Sequence, residues 1–382
     1  MRVLLVTGSF PPMQCGVGDY SCNLAKSLAA CAEIQIGVLT SVFDSNESES
    51  ESEREGLEVF PIMKSWGLAE TLRVIKIIRY WSPDIVHIQY PTQGYSDGLL
   101  QWFLPMISFL MRRKVVQTWH EGYSRRNVPK LLLKAVVPGG LVVVRPQYKE
   151  KLLPVLRWAL RNKRFVFIRN ASVFPKIALG EQEKDILRRQ YLRTQKRLIL
   201  FLGFVYPHKG VELLFEIADP ALDQIVIAGK IVRARPTNWR TYRLAGDEGG
   251  DYHKEIMRRA LAGPWLGKVT ITGFLPTADV AALLAVTDAV VLPFRDGGGE
   301  WNTSIHAAVL QGAFVITTSV RQNGYDEKHN VYYAGVDNVQ EMKSALGDYA
   351  GRRRAYDHDV DRDEWGQIAA EHHSLYESLL SQ

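Results

Sequence analysis

The chain has 382 residues, of which 46% are hydrophobic and 23% charged, and carries a formal net charge of +6. This length suits two domains of similar size, and the composition excludes both a disordered chain and a membrane-embedded one. The positive charge suits a phosphorylated ligand or an anionic membrane surface, and it is too diffuse to imply nucleic acid.

The opening MRVLLVTGSFPP holds one basic residue and a short apolar run before its prolines. It predicts a first β-strand and not a secretion signal, so the expected location is the cytoplasm. Cys15, Cys22 and Cys31 show no C-x-x-C spacing, and an odd count gives no disulfide framework. Predicted strands follow at residues 3–6, 34–39, 85–88, 115–118, 141–144 and 165–168. Runs this short and apolar on both faces belong to a covered parallel sheet. Residues 44–55 are acidic, serine-rich and without apolar side chains, which predicts a surface loop. The run 66–81 predicts a helix with Leu68, Leu72, Ile75 and Ile78 on its core face, and basic side chains elsewhere that would also suit anionic lipid. Residues 98–111 contain Gln101 and Pro105 and fall short of a membrane span, so they predict a buried helix. The charged stretch within 174–197 lacks an apolar stripe and predicts a linker. A second strand series lies at 198–202, 224–228, 269–272, 289–292 and 314–317, giving two doubly wound sheets in succession.

In open parallel sheets the ligand crevice lies beyond the carboxyl ends of the strands. Four loops qualify. In 8–20, Gly16 and Gly18 would let backbone N–H groups approach an anion before a helix begins, although no G-x-G-x-x-G fingerprint is present. After the fourth predicted strand, His120 precedes Glu121; the position serves a buried structural histidine or one that donates a hydrogen bond to a ligand hydroxyl. Lys209 follows the first strand of the second series, as a solvated lysine or as the cation for a departing diphosphate. The clearest local signal is 293–312, where three glycines precede Asn302, Thr303 and Ser304 at the start of a helical pattern able to hold phosphate oxygens.

Taken together, the segments SFPPMQCGVGDY, VHIQYP, TWHEGY, FIRNASVFP, FLGFVYPHKGVELL, IVIAGK, VTITGFLPTADVAALLAVTDAVVLPF and AAVLQGAFVITTS resemble the retaining nucleotide-sugar glycosyltransferases of family four. The resemblance covers nearly the whole chain. It implies the GT-B architecture: α/β, with two Rossmann-like domains facing across a cleft, here 1–175 and 198–360 with a linker at 176–197, and a segment 361–382 whose helix crosses back to the first domain. It implies that Gly16 and Gly18 face the donor diphosphate, His120 meets the transferred sugar and Lys209 the phosphates. Phe274 and Leu275 would border the base, and Asn302, Thr303 and Ser304 would hold phosphate.

The family usually has an Arg where Phe204 stands, and two glutamates at places that look like Gly299 and Ala307, with Glu300 one position away as the sugar-side carboxylate. The expected reaction is sugar transfer with retention, in polysaccharide or cell-envelope synthesis, to a glycan or lipid-linked acceptor. The nucleoside-diphosphate sugar is then a substrate, with no cofactor and no metal. Peripheral contact with a membrane fits this setting. Phe204, Gly299 and Ala307 also fit a non-catalytic binding protein of the same fold, whereas the absent fingerprint weighs against a nicotinamide enzyme.

Overall fold

A computed structural model describes residues 1–42, 56–122, 127–229, 248–299, 301–355, 357 and 363–381. The acidic loop expected at 44–55 lies outside these, as does Glu300. The chain divides into two compact units, the first formed by Met1–Asn170 with Asp363–Gln382 and the second by Ala171–Arg362.

The first unit holds β1 (Arg2–Val6), β2 (Gln35–Ser41), β3 (Glu58–Met63), β4 (Ile85–Tyr90), β5 (Lys114–Trp119), β6 (Gly139–Val143) and β7 (Lys163–Phe167), ordered β3-β2-β1-β4-β5-β6-β7. Every pairing is parallel. Side chains alternate between the two faces of each strand. Leu4, Val6, Val86, Ile88 and Tyr90 join a core with Val74, Ile78, Leu104, Leu131 and Leu156 from four helices. The opposite face is covered by the helices Gly16–Ala29 and Glu364–Leu380, which pack on each other. A Cβ on Gly140 would sit 3.2 Å from both Leu375 and Leu379, so this helix lies close on β6. Within the first core Lys134 is 3% exposed, its Nζ 3.4 Å from the ring centroid of Tyr90 and 4.3 Å from that of Trp102. Ring faces offset part of the desolvation of that ammonium.

The second unit holds β8 (Arg197–Leu202), β9 (Asp223–Ala228), β10 (Val269–Gly273), β11 (Ala289–Leu292), β12 (Val315–Thr318), β13 (Gly324–Asp326) and β14 (Val331–Ala334). Their order is β10-β9-β8-β11-β12-β14-β13, parallel except for β13 against β14. In both sheets the order reverses beside the first strand, between β1 and β4 and between β8 and β11. Those are the switch points at which ligands bind in such sheets.

Three expectations change. The stretch read as a linker at 176–197 lies inside the second unit, where the helix Glu181–Tyr191 sends Arg188 onto Asp288 at 2.9 and 3.1 Å. The helix predicted at 66–81 begins as regular α-helix at Thr71, so Val74, Ile78 and Trp81 form its buried stripe while Leu68 and Leu72 are exposed. The helix Leu100–Leu110 is buried along one side only: Leu100, Gln101, Leu104 and Ser108 face inward, and Phe103, Phe109 and Leu110 are exposed. No helix among the described residues is long and apolar enough to cross a membrane.

Candidate functional site

At the first switch point, the loops after β1 and β4 touch through backbone. The Gly94 amide donates to Ser9 Oγ at 2.7 Å, and a Cβ on Gly94 would lie 1.7 Å from the Gly8 carbonyl oxygen. Only glycine permits that approach. Gly18 is buried, with Ser9 O 3.1 Å from where its Cβ would be, whereas Gly16 is exposed and faces open space. Of the two glycines singled out, Gly18 therefore seats the helix on the loop and Gly16 leaves the approach to its first turn open. Cys15 supplies no side-chain cap. In that turn, burial raises the Asp19 carboxyl to about 7.

His120 follows β5, its backbone N–H donating to Tyr90 O at 2.7 Å. Its ring meets Tyr20 edge-on, with centroids 4.6 Å apart. Burial, with a smaller contribution from His372, pulls its pKa down to about 3, so the imidazole is neutral at physiological pH. Nε2 lies 2.8 Å from Gln89 Oε1, an acceptor, so with the amide in this orientation Nε2 carries the ring proton. The expectation was a histidine donating to a ligand; with Nε2–H engaged by Gln89, Nδ1 is the lone-pair atom of the ring.

Gln89 Nε2 is in turn 3.2 Å from His87 Nε2, which also lies 2.7 Å from Thr118 Oγ1. His87 Nδ1 is 2.7 Å from the hydroxyl of Tyr376 on the helix Glu364–Leu380. His87 and Gln89 are fully buried. Sequence reasoning did not single them out, although two polar residues at alternate positions of an otherwise apolar strand were the available signal.

In the second unit the carboxyl ends of β8, β9 and β10 are linked through Gly203, Gly229 and Gly273. The Gly203 amide donates to Ala228 O and that of Gly229 to Gly273 O, both at 2.9 Å. A Cβ on Gly229, whose φ is +153°, would lie 2.0 Å from Gly203 O. Beyond Gly273, Phe274 is exposed while Leu275 packs against the core. The loop after β8 is tied to the one after β11: Arg295 N–H donates to His208 O at 3.0 Å, and Lys209 Nζ sits 4.3 Å from the Phe294 ring centroid.

The helix Thr303–Leu310 starts beside this junction. Asn302 at its N-cap makes no cap bond; its Oδ1 instead accepts from Gly299 N–H at 3.0 Å, bracing the glycine loop. The amides of Thr303 and Ser304 precede the helix's own i→i−4 ladder and carry its positive dipole end. A Cβ on Gly203 would be 3.8 Å from Ser304 Oγ, so the switch point brings these elements together. Arg295, the remaining cation of the loop, is held by Glu212 at 2.5 Å and Asp337 at 2.7 Å. Phe204, where a second phosphate cation was expected, begins an aromatic series: its ring lies 6.2 Å from Tyr206, which stacks on His208 at 5.4 Å. Ala307 is buried in the core, and a side chain on Gly299 would strike the Trp301 ring. Glu300 falls outside the described residues.

Residues 15–199 match a family model described as Glycosyltransferase Family 4, and residues 196–350 one described as Glycosyl transferases group 1. The chain belongs to the glycosyltransferases. This glycosyltransferase aligns over its whole length with Anabaena HepE in complex with UDP and glucose, at 15% identity, a TM-score of 0.66 and 98% of that chain. Sucrose-phosphate synthase from Thermosynechococcus elongatus aligns at 15% identity, a TM-score of 0.67, all of this chain and 99% of that one. At such identities the likeness shows the fold, the GT-B pairing of two Rossmann-like domains. In sequence the glycosyltransferase is 27% identical over 174 residues to YtcC of Bacillus subtilis (strain 168), whose name assigns it provisionally to the glycosyltransferases. That match takes in 43% of this chain and 38% of YtcC.

Proposed function

We propose that this glycosyltransferase moves a sugar from a nucleoside-diphosphate sugar to a hydroxyl acceptor with retention at the anomeric carbon. The observation that carries the reading is the second switch point, where the uncapped start of the helix Thr303–Leu310 adjoins Gly203 and the loop bearing Lys209. Helix-start amides and a lysine suit a diphosphate that gains charge as it leaves. Asn302, Thr303, Ser304 and Lys209 hold the phosphates, with the exposed Phe274 against the base and Leu275 supporting it. In the first unit, Gly16 leaves room for the donor and His120 meets the sugar.

The acceptor oxygen bonds the anomeric carbon as the carbon–oxygen bond to the diphosphate breaks on the same face. The acceptor proton passes to the departing phosphate oxygen, so orientation and electrostatics replace a protein nucleophile. The donor is a substrate, and this scheme requires no metal. A glycan or lipid-linked acceptor in envelope or polysaccharide synthesis, met at the cytoplasmic face of a membrane, accords with the exposed Phe103, Phe109 and Leu110.

A thermal-shift titration with UDP, ADP and GDP tests the diphosphate site, since the right nucleotide raises the midpoint by mass action. UDP comes first because Anabaena HepE is described in complex with it. An unchanged donor affinity and turnover in Lys209→Ala would remove Lys209 from the scheme.

A second reading, a binding protein without turnover, is favoured by Phe204 in place of a cation and by Ala307 in the core. Transfer to any acceptor that His120→Ala abolishes would rule it out.

A further inference from the structure

In the first unit, one hydrogen-bonded series links His120 to the helix Glu364–Leu380. Each link fixes the direction of the next. With His120 Nε2–H donating to Gln89 Oε1, the amide nitrogen of Gln89 points at His87 Nε2, which must be bare to accept from it. The Thr118 hydroxyl donates to the same nitrogen. The His87 proton is then on Nδ1, donating to the Tyr376 hydroxyl oxygen.

The opposite arrangement is also self-consistent, but only as a whole. A proton on His87 Nε2 would face the Gln89 amide, turn that amide over, present N–H to His120 Nε2 and drive the His120 proton to Nδ1. Burial lowers the pKa of His87, His120 and His372, so these rings are neutral at physiological pH and the choice of nitrogen is real. His372 stays outside the series, its Nδ1–H donating to Ile368 O at 2.7 Å.

We propose that Tyr376, His87 and Gln89 are positioning residues that set from the C-terminal helix which nitrogen of His120 carries its proton, keeping Nδ1 bare to accept a hydrogen bond from a donor-sugar hydroxyl. The sugar end of this inference rests on the function proposed above; the tautomer end does not. Tyr376→Phe keeps the ring but removes the acceptor for His87 Nδ1–H. His87 then moves its proton to Nε2 and donates to Thr118, Gln89 turns over, and His120 carries its proton on Nδ1.

The test is nitrogen NMR on the full chain labelled at histidine, which separates protonated from bare ring nitrogens without substrate. His120 should show a bare Nδ1 in the wild type and a bare Nε2 in Tyr376→Phe. In Gln89→Leu, which severs the series should Tyr376→Phe fail to fold, both nitrogens should give averaged shifts. An unchanged His120 tautomer in either variant overturns the proposal. With an active donor, Tyr376→Phe should lower kcat/KM at least about tenfold while the nucleoside diphosphate Kd stays constant, since a wrong tautomer impairs chemistry in a site that is otherwise intact. Absence of turnover with every nucleotide sugar would sink the proposed function and leave the NMR result standing.

Discussion

Gly203 and Ser304 face each other across the second switch point, where a Cβ on the glycine would come 3.8 Å from the serine hydroxyl. A side chain at 203 would occupy space beside the first-turn amides of the helix Thr303–Leu310. Gly203→Val should weaken nucleoside diphosphate binding by about tenfold or more, and Ser304→Ala by a smaller factor, worth about 1 kcal/mol for one hydrogen bond. Calorimetric titration checks both, with the ligand-free melting midpoint recorded because Gly203 has a φ of +141°. Equal affinities in all three proteins would place the diphosphate elsewhere.

The buried histidines make the first unit acid-sensitive. His120 titrates near 3 and His372 near 4, against 6.5 for an unhindered imidazole. Between those values the unfolded chain binds protons that the native state does not, so stability is fully present above about pH 6.5 and is lost as pH falls toward 4. For His372 alone this amounts to something on the order of 3 kcal/mol. Urea midpoints from pH 7 to 4.5 should fall more steeply for the wild type than for His372→Asn. Parallel curves would refute the assignment.

Lys163 acts in the alkaline range. It is 8% exposed, its Nζ has no hydrogen-bond partner among the described residues, and burial lowers its pKa from 10.5 to about 7. The unfolded chain holds that proton up to about pH 10 and the native state releases it near 7, so stability should rise with pH across this interval. Lys163→Met, which matches the shape without the charge, should be more stable than the wild type at pH 7 and converge with it near pH 10. A substitution that lowers the pH 7 midpoint would show the ammonium to be stabilising.

The Arg188 guanidinium clasps Asp288 through two bonds, while Asp288 also accepts from Leu198 N–H at 2.7 Å. Arg188→Ala leaves a half-buried carboxylate with fewer partners and should destabilise the second unit by about 1–3 kcal/mol, as for other such losses. Chemical denaturation within error of wild type would mean that the helix Glu181–Tyr191 is only a surface element.

Most of both sheets was legible because their strands are buried on both faces and read as short apolar runs. β3 was not, because its EVFPIM is a half-buried edge strand interrupted by Pro61. β13 and β14 are short: β13 is of intermediate burial throughout, and β14 buries only Val331 and Ala334 around two half-buried tyrosines, so neither reads as an apolar run. The helix Glu181–Tyr191 has no fully buried residue and is anchored by an ion pair, so a hydrophobic pattern could not find it. At the candidate sites, glycines and strand ends pointed to loops that lie at the carboxyl ends of the parallel strands. The partners of His120 lie far apart in sequence, and the pairing of Arg295 with Glu212 and Asp337 depends on elements that meet only after folding.

The first unit is assembled from two stretches of chain separated by the whole of the second. During synthesis, the sheet built from residues 2–167 emerges with the helix Gly16–Ala29 but before the second helix that covers the same face exists. Until residues 364–380 leave the ribosome, Gly140 and the buried polar side of β4 lack Leu375, Leu379 and Tyr376. Sequential domain folding is the usual order. Here the second unit is free to close first while the earlier-made one waits for its final helix, so an interrupted translation product would present an incomplete first unit to chaperones and proteases.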